Sequence, residues 1–515
     1  SGAFLFLVAP ANINVRFTLE LKILSYTNFS KLKNTLLYLD YMLGGLIVLF
    51  FHFIVAPFAV VHALLFKRDH RAALGWVSVS VLFPIAGPVL YFFFGVNRIR
   101  HSAREVTGWK SKLPYFGYER GDIFLPQVPP PLEVNTYPLA HVGWRTTATP
   151  LIAGNAVSFL KNGDAFYPRL IEAIKSARVR VWISSYIFSG DGIGMEIVAA
   201  LTNAVERNVD TRVLVDGVGA WYSLHSLRRS LKGTGIRYAE FLPPRLLPPS
   251  LHINLRNHRK IAIIDIEYAF FGGLNIDNRH FVTSPRIDNP HEDVHFELYG
   301  PAAISLAKVF SHDWYAATRE MLVVAAGNRE KRGNSFARVI EDGPDEGLDR
   351  LAMTLLGLVG GACRRIRIMT PYFLPHRELV GALQGAAVRG VVVEVLLPQQ
   401  SNLRYVDWAT QHSLWELLQW GVHISLKPLP FAHSKLFIVD DDYVLAGSSN
   451  LDPRSLRLNF EMDVELFDTK LAEIVNDYFD DAWKDARVLR LEDLDQRSVL
   501  TRLRDGFFWL FSAYL

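Results

Sequence analysis

The sequence predicts an α/β protein whose larger part consists of two similar halves behind a membrane-spanning helical hairpin. Three observations lead to this prediction. Two uncharged stretches of 26 residues lie near the N-terminus, helical and strand-like segments alternate through the remainder, and one polar motif occurs twice at the same spacing. Alternation of this kind is typical of mixed sheets sandwiched by helices.

Length and composition are consistent with such an architecture. The chain has 515 residues, enough for two or three domains, and half of them are hydrophobic, which favours membrane segments. The net charge of +4 permits an anionic surface as a partner without requiring one. The single cysteine, Cys363, excludes an internal disulfide framework and a cysteine-based zinc site, and we expect it in the core.

Residues 1–40 form a separate N-terminal segment in this prediction. The apolar run Ala3–Ala9 is too short to span a bilayer, and the pattern of a signal peptide is missing. Val15–Tyr38 mixes Lys and Arg with Leu, Ile and Phe, which predicts a helix lying in the membrane interface.

Residues 41–97 predict the hairpin. Tyr41–Phe66 and Ala72–Asn97 are each long enough to cross a bilayer, with kinks expected at Pro57, Pro84 and Pro88. The five residues between them place both outer ends on one side of the membrane. These ends carry more basic residues than the loop, so we expect both termini and the catalytic part in the cytoplasm, in a multi-pass protein of the inner (plasma) membrane. The basic residues of the outer flanks are Lys31, Lys33, Arg98, Arg100, Arg104, Lys110 and Lys112.

Residues 98–150 contain a Pro-rich run and are predicted to be a linker. The two halves follow as residues 151–330 and 331–515. The first half predicts helix Asp164–Ala177, strand Val179–Phe188, helix Gly194–Asn208 and strand Asp210–Val215. The second predicts helix Gly347–Leu358, strand Ile366–Phe373, helix Glu378–Arg389, strand Val391–Leu397 and a mainly helical Tyr405–Gly421.

The repeated motif stands at the start of an apolar strand in each half. In the second half His433, Lys435 and Asp440 have the spacing H-x-K-x4-D. His433 and Lys435 precede the strand-like Leu436–Val439, and Asp440 follows it. Side chains two apart on a strand share a face, so the imidazole and the ammonium lie side by side. Asn450 follows the histidine by 17 positions.

The first half carries the same arrangement. His258, Lys260 and Asp265 have identical spacing, and Asn275 again follows the histidine by 17 positions. One such motif is weak support for a function, whereas two copies on apolar strands with an asparagine at the same offset are specific.

These residues carry a resemblance to a known family. The paired motif resembles the phospholipase D (HKD) superfamily, and residues 447–461, GSSNLDPRSLRLNFE, closely resemble its G-S-x-N-x-D-x-R-S-x-x-x-N-x-E form. With the hairpin ahead of it, the chain from Tyr41 to Leu515 resembles the bacterial cardiolipin synthases. The resemblance implies two phospholipase D-like α/β/α repeats with pseudo-twofold symmetry, whose motifs meet at the interface of the repeats.

The resemblance also implies roles for the two histidines. His258 is then the nucleophile that forms a phosphohistidine, and His433 is the general acid and base. The residues alone leave the reverse assignment open. Each histidine needs a partner that fixes its tautomer, and we expect Glu461 to serve the second motif and Asp293 the first.

The remaining motif residues fit the chemistry of a phosphodiester, whose anionic oxygens need hydrogen-bond donors. Asp265 and Asp440 complete the motif and are counted with the catalytic group, although the residues alone favour bracing of a turn. Neither a cofactor nor a metal is expected, since no cluster of ligands lies near either motif. The predicted donors around the phosphate are Lys260, Lys435, Asn275 and Asn450.

The sequence departs from the relatives where they have an aromatic residue at the position of His291 or Glu292. The histidines outside the motif are expected at the surface or in loops. They are His252, His280, His291, His295, His376, His412 and His423.

The predicted function is transfer of a phosphatidyl group between two phosphatidylglycerol molecules with release of glycerol. The alternatives are hydrolysis by water, in the manner of a phospholipase D, and transfer from phosphatidylethanolamine. Phosphatidylglycerol, other anionic phospholipids and the membrane are the expected partners, and nucleic acid is not, because no basic stripe with interleaved aromatic residues is present. A non-catalytic scaffold is disfavoured because both motifs are complete.

The C-terminal Gly506–Leu515, GFFWLFSAYL, is apolar and follows the basic Arg497–Arg504. Two interpretations stand side by side, packing against the catalytic part and insertion into the membrane interface.

Overall fold

A computed structural model describes residues 33–35, 37–67, 69–96, 137–221, 227–244, 254–324, 330–345 and 349–512. The chain divides into two compact units, Ser1–Arg98 and Ile99–Leu515. Most of the predicted interfacial helix Val15–Tyr38, the Pro-rich part of the predicted linker and the last three residues lie outside the described residues.

The described residues of the first unit are mainly helical, and the longest helix among them matches the first predicted span. Helix α1 runs Lys33–Phe66 and is the one helix among the described residues that is long and apolar enough to cross a bilayer, by length and composition. Against it packs a returning segment. The Tyr91 hydroxyl lies 2.7 Å from His62 Nδ1, and Ala59 and Ala63 are buried beside it.

The second predicted span is not one continuous helix. It consists of α2, His70–Leu82, and α3, Ala86–Gly95, with a break at Phe83–Ile85. Pro84 lies in the break, and a proline removes one helical hydrogen bond and clashes with the preceding turn. At 1.5 Å per residue the two pieces are about 20 Å and 15 Å long, shorter than the roughly 30 Å hydrocarbon layer.

The second unit is built on one large mixed sheet with helices on both faces, which confirms the predicted α/β class. Its helices are Tyr137–Thr147 (α4), Asn162–Ser176 (α5), Gly192–Glu206 (α6), Leu227–Ser230 (α7), Ala303–Thr318 (α8), Arg350–Gly361 (α9), Arg377–Val388 (α10), Arg404–Gln419 (α11), Pro453–Arg457 (α12), Thr469–Lys484 (α13), Leu491–Asp495 (α14) and Val499–Trp509 (α15).

The strands of the first repeat are Ile152–Lys161 (β1), Arg180–Ser185 (β2), Asp210–Asp216 (β3), Arg237–Phe241 (β4), Arg256–Asn257 (β5), Ile261–Ile264 (β6), Tyr268–Gly272 (β7), His291–Glu292 (β8) and Val294–Tyr299 (β9). Those of the second are Ser335–Asp342 (β10), Arg365–Met369 (β11), Val392–Pro398 (β12), His423–Lys427 (β13), Phe431–Ala432 (β14), Leu436–Val439 (β15), Tyr443–Gly447 (β16), Asn459–Phe467 (β17) and Arg487–Leu489 (β18).

The strand order shows the pseudo-twofold symmetry directly. The order is β18-β13-β12-β11-β15-β16-β17-β10-β1-β9-β7-β6-β2-β3-β4, and read outward from the central β10-β1 pair it is the same in both directions, with β18 added at one edge. Strands β1 and β10 pair antiparallel, with Ile152 opposite Ala337. The two repeats therefore share one continuous sheet.

One hydrophobic core spans both repeats. On one face of the sheet, Phe310 and Trp314 of α8 and Val475 and Phe479 of α13 belong to a single buried cluster. On the other face each repeat has a cluster of its own, formed with α5 and α6 in the first repeat and with α9, α10 and α11 in the second. Burial on both faces explains why the motif strands β6 and β15 are uniformly apolar.

The predicted linker 98–150 contains helix α4, which the sequence analysis missed. Leu139 and Ala140 of α4 are buried in the core cluster of the second repeat, and Arg338 donates a hydrogen bond of 3.0 Å to the Ala140 carbonyl oxygen. The buried face of α4 also includes Gly143 and Thr147. Such small residues do not give the large apolar periodicity by which helices are recognised.

Candidate active site

Two short parallel strand pairs cross between the repeats and set the geometry of the site. Strand β5 of the first repeat pairs with the start of β17 in the second, with Asn257 opposite Phe460. Strand β8 pairs with β14 in the same way, with Glu292 opposite Ala432. The next residue after each pair is a motif histidine facing a carboxylate of the other repeat.

His258 lies against Glu461. Its Nδ1 is 3.1 Å from Glu461 Oε2 and 3.1 Å from the Ser448 carbonyl oxygen, and its backbone N–H donates to the Phe460 carbonyl oxygen at 3.0 Å. Glu461 also accepts hydrogen bonds from Ser448 at 2.6 Å, Ser455 at 2.5 Å and Asn459 at 3.0 Å. The carboxylate is fully buried and held from four directions.

His433 lies against Asp293. Its Nδ1 is 2.7 Å from Asp293 Oδ2, and its backbone N–H donates to the Glu292 carbonyl oxygen at 2.7 Å. The predicted pairing within each repeat is therefore wrong: Glu461 serves the first motif and Asp293 the second. The register of β5 with β17 and of β8 with β14 is the physical reason, because it places each histidine opposite the other repeat's carboxylate.

The two lysines are buried beside their histidines. Lys435 Nζ is 2.8 Å from His433 Nδ1 and 3.5 Å from Asp293 Oδ2. Lys260 donates to the His258 carbonyl oxygen at 2.5 Å. Burial is the largest cause that lowers the pKa of Lys260 to about 7, and the charge on Lys435 acts in the same direction against the opposing charge of Glu461. The two motifs therefore lie within electrostatic range of each other.

The electrostatics of the histidines follow from burial next to these lysines. Burial, Lys435 and neighbouring histidines hold the pKa of His433 well below its usual range. The pKa of His258 is lowered mainly by burial, against the opposing charge of Glu461. Burial acts to raise the pKa of Glu461, but His258 and Lys260 overcome it, so the pKa is lowered overall. Both Nδ1 atoms face carboxylates, so Nε2 is the nitrogen of each ring that can react, and Nε2 of His433 lies 3.2 Å from Lys435 Nζ.

The two asparagines lie in corresponding positions. Asn275 Oδ1 accepts a hydrogen bond from the Ile187 backbone at 3.2 Å, which orients its amide. The backbone N–H of Asn450 donates to Ser455, the same hydroxyl that holds Glu461. Both side chains are buried.

Asp265 and Asp440 follow the far ends of their strands and do not belong with the catalytic group. Asp440 accepts hydrogen bonds from the backbone N–H groups of residues 363–365 at 3.1, 2.7 and 2.9 Å. Asp265 accepts equivalent bonds from residues 178–180. Five residues of extended chain, roughly 16 Å, separate Asp265 from Lys260. Asp265 therefore holds the backbone at the start of β2, and Asp440 holds the backbone at the start of β11.

Two tyrosines beside the histidines were missed by the sequence analysis. The ring centroid of Tyr186 is 5.2 Å from that of His258, and Tyr372 is 6.4 Å from His433. Tyr186 follows the end of β2 and stands two residues before Phe188, whereas Tyr372 follows β11 and stands directly before Phe373. Each of these phenylalanines bridges to the residue after the motif asparagine. Aligned on those phenylalanines, Tyr186 falls opposite Pro371 and Tyr372 falls opposite Ile187, so the repeat in the sequence does not reveal the two tyrosines.

Three histidines predicted at the surface or in loops belong to the surroundings of the site. His291 lies 6.5 Å from His433 between ring centroids. His280 and His295 are buried. Burial lowers the pKa of His280 and of His291 to about 4 and that of His295 to about 3. In contrast, Cys363, expected in the core, is exposed.

Among the described residues, no group of three His, Cys, Asp or Glu side chains is arranged to hold a metal ion.

Comparison with known proteins places this arrangement in a family. Residues 170–314 and 355–483 match the family described as "Cardiolipin synthase, PLD-like domain", which is more than half of the chain. Residues 54–95 match the family described as "Phospholipase_D-nuclease N-terminal".

Curated relatives are similar over most of their length. The chain is 27% identical over 464 residues to the major cardiolipin synthase ClsA of Bacillus subtilis (strain 168), covering 87% of this chain and 95% of that protein. It is 29% identical over 469 residues to cardiolipin synthase A of Pseudomonas aeruginosa (strain LESB58), covering 90% and 93%. The crystal structure of phosphatidylserine synthase from Haemophilus influenzae Rd KW20 superimposes with a TM-score of 0.58 at 17% identity, covering 73% of this chain and all of that one, a likeness of fold.

Proposed function

The chain belongs to the cardiolipin synthase family with a phospholipase D-like domain, and we propose that it joins two phosphatidylglycerol molecules into cardiolipin through a phosphohistidine on His258. It is a membrane-associated phosphatidyltransferase that acts on phospholipids. We propose three further points: the lipids that serve as donor and acceptor, the covalent intermediate, and the role of each site residue.

One observation carries the proposal. Two imidazoles converge on one site, each with Nδ1 on a buried carboxylate of the other repeat and each beside a buried lysine. This is the arrangement needed for one nitrogen to attack phosphorus while a second manages the proton of the alcohol.

In the first half-reaction His258 Nε2 attacks the phosphorus of phosphatidylglycerol. The bond from phosphorus to the glycerol headgroup breaks, and the departing oxygen takes a proton from His433. Glu461 accepts a hydrogen bond from the Nδ1–H of His258 and stabilises the positive charge that develops on the ring. Lys260 and Lys435, with the amides of Asn275 and Asn450, hold the phosphoryl oxygens.

In the second half-reaction His433, now neutral, removes the proton from a headgroup hydroxyl of the second phosphatidylglycerol. That oxygen attacks the phosphohistidine, the phosphorus–nitrogen bond breaks, and His258 is regenerated. In the enzyme without substrate, burial and Lys435 hold the pKa of His433 low. An anionic phosphodiester bound beside Lys435 raises the pKa of His433, so His433 can carry the proton during turnover.

The proposal is tested with the full-length protein in detergent and phosphatidylglycerol as the sole lipid, with EDTA and no nucleotide. We expect cardiolipin and one glycerol per cardiolipin, and at least a 10³-fold loss in His258→Ala and in His433→Ala. His423→Ala, an exposed histidine on β13, is the matched control. Phosphatidic acid as the product would assign a hydrolase instead, and turnover that needs phosphatidylethanolamine would change the donor.

We further propose a multi-pass arrangement with the catalytic unit in the cytoplasm, supported by the basic flanks of the predicted spans and the apolar α1. Cys363 is the chain's single cysteine and is exposed, so it reports the side directly. A membrane-impermeant maleimide should label it only after intact cells are permeabilised. Labelling of Cys363 in intact cells would contradict this orientation and place the catalytic unit on the outer side of the membrane.

A further inference from the structure

The C-terminal helix α15 presents an unusual face to solvent. Six apolar side chains of this helix and the turn after it are between 47% and 79% exposed: Val499, Leu500, Leu503, Phe507, Leu510 and Phe511. At 100° per residue all six fall within a sector of about 120°. They form one continuous apolar stripe, which we call the α15 stripe.

The opposite face of α15 is fixed to the catalytic unit. Asp505 is fully buried and pairs with Arg497 at 2.7 Å and with Arg504 at 2.7 Å. Phe508 packs on Trp408 of α11 with ring centroids 4.9 Å apart, and Arg504 lies 4.5 Å above the same tryptophan ring. The helix is therefore anchored by a polar and aromatic face while the α15 stripe points outward.

Basic residues border the stripe on both sides. By the same helical geometry, Arg504 lies next to Phe511 on one edge, and Arg502 lies beyond Gly506 on the other. Arg502 is exposed, and the side chain of Arg504 stays 43% exposed while it pairs with Asp505. Residues 497–512 carry three arginines against the single buried Asp505. An apolar stripe bordered by arginines matches a bilayer surface with anionic headgroups in both hydrophobicity and charge.

The helix is also connected to the active site by one layer of side chains. Phe508 packs against the buried cluster of Leu374, Val406 and Ala409, which also holds Tyr372. Tyr372 in turn lies 6.4 Å from His433 between ring centroids. The anchored face of α15 is therefore joined by packed side chains to the surroundings of His433.

We propose that α15 is an interfacial helix that seats the catalytic unit on an anionic phospholipid bilayer. The α15 stripe lies among the acyl chains, and Arg502 and Arg504 lie at the headgroups. This inference rests on the proposed function and adds to it the surface by which the site reaches lipid that stays in its bilayer. Of the two interpretations of the C-terminus, both apply, one to each face of the helix.

A lipid-contact experiment tests the position of the stripe. In the full-length Cys363→Ser protein, Leu503→Cys carries an environment-sensitive fluorophore, and the protein is reconstituted in phosphatidylglycerol vesicles. We expect quenching by lipids with brominated acyl chains at Leu503→Cys and none at the matched Lys484→Cys on α13, whose side chain is 71% exposed. Equal signals at the two positions overturn the proposal. So does a label shielded from both brominated lipid and aqueous iodide, which would mean that a second copy or the hairpin covers the stripe.

An activity experiment separates this inference from the proposed function. Leu500→Glu with Leu503→Glu should lose at least tenfold in activity on phosphatidylglycerol vesicles, yet keep activity within about twofold on a short-chain phosphatidylglycerol below its micelle concentration. The control is Val388→Glu with Val392→Glu, exposed valines at the end of the sheet opposite the site, which should change neither activity. Equal loss on both substrates would assign α15 a purely structural role, and an inactive wild-type protein on both substrates would instead reject the proposed function.

Discussion

At the scale of single residues the two histidines differ in how their carboxylates are supported. Glu461 accepts hydrogen bonds from three side chains besides His258, including Ser448. In the first repeat Gly273 stands where the second has Ser448, and a side chain there would collide with Asp293. The carboxylate with more hydrogen bonds, Glu461, is the partner of His258. A histidine ring becomes cationic when it is phosphorylated, and a firmly held carboxylate stabilises that charge. This asymmetry favours His258 as the nucleophile.

A donor with a good leaving group tests the two roles, and with them the crossed pairing. A phosphatidyl ester of p-nitrophenol needs no general acid in the first step. We expect His433→Ala and Asp293→Asn to release a burst of nitrophenolate at near wild-type rate, and His258→Ala and Glu461→Gln to lose at least 10²-fold. The stopped-flow absorbance of nitrophenolate measures this step.

The variants that lose the burst identify which histidine is the nucleophile. A burst in Glu461→Gln together with its loss in Asp293→Asn would exchange the roles of the two histidines. Asp313→Asn, which alters a buried partner of Arg259 outside the histidine pairs, serves as a control for general damage.

At the scale of elements, the long strands and helices were predictable and the short crossing strands were not. The periodicity of α5, α6, α10 and α11 and the apolar runs of β2, β3, β11 and β12 identify those elements within a few residues. Strands β5, β8 and β14 have two residues each, too few for any pattern, and they pair across the repeats. The partner of each histidine is set by those pairs, so sequence reasoning found the right carboxylates but joined them to the wrong histidines.

The element that Asp440 supports leads to a prediction about stability. Asp440→Ala removes the acceptor of three backbone hydrogen bonds at the entry to β11 and should lower the free energy of unfolding by about 3 kcal/mol. The transferase activity per folded molecule should stay within about threefold. Thermal denaturation and active-site titration measure the two quantities.

The matched variant for this prediction is Asp441→Ala. Asp441 is 47% exposed and forms surface ion pairs with Arg364 and Arg365, so its loss should cost less than about 1 kcal/mol. A hundredfold loss of activity in Asp440→Ala with unchanged stability would restore Asp440 to the catalytic group.

At the scale of the whole molecule, buried histidines make the fold sensitive to acid. The unfolded chain binds a proton on each histidine near pH 6.5, whereas the folded chain resists until about pH 4 for His280 and His291 and about pH 3 for His295. Their contribution to stability is complete above pH 6.5 and is lost as the pH falls towards 4. Buried Asp463 and Glu465, whose pKa values burial raises to about 7, act in the opposite sense.

A single substitution isolates the histidine contribution from these opposing carboxyl groups. His295→Phe keeps an aromatic ring against Phe166 and removes the titrating group. Relative to wild type, the variant should gain about 2 kcal/mol of stability between pH 7 and pH 5. Denaturant midpoints across that range provide the measurement, with His423→Asn, an exposed site, as the control. A constant difference between wild type and His295→Phe would contradict the prediction.

The global architecture was the most predictable level and the membrane unit the least. The duplicated motif and the alternation of elements predicted two halves, and the strand order bears this out. Composition alone indicated two crossings of the membrane. The break around Pro84, however, divides the second apolar stretch into two short helices, because an uncharged sequence does not guarantee unbroken helical hydrogen bonding.

The crossing of β5 with β17 and of β8 with β14 has a consequence for how such a protein can arise. A gene that encoded one repeat would yield a working centre only when two of its products associated, because each copy supplies the carboxylate for its neighbour's histidine. Joining two copies in one reading frame fixes their ratio at one to one and frees each to accumulate its own changes. Gly273 against Ser448, and Asp293 against Glu461, are differences between the repeats of that kind. The two repeats share the strand order of the sheet and differ in the side chains that hold their histidines.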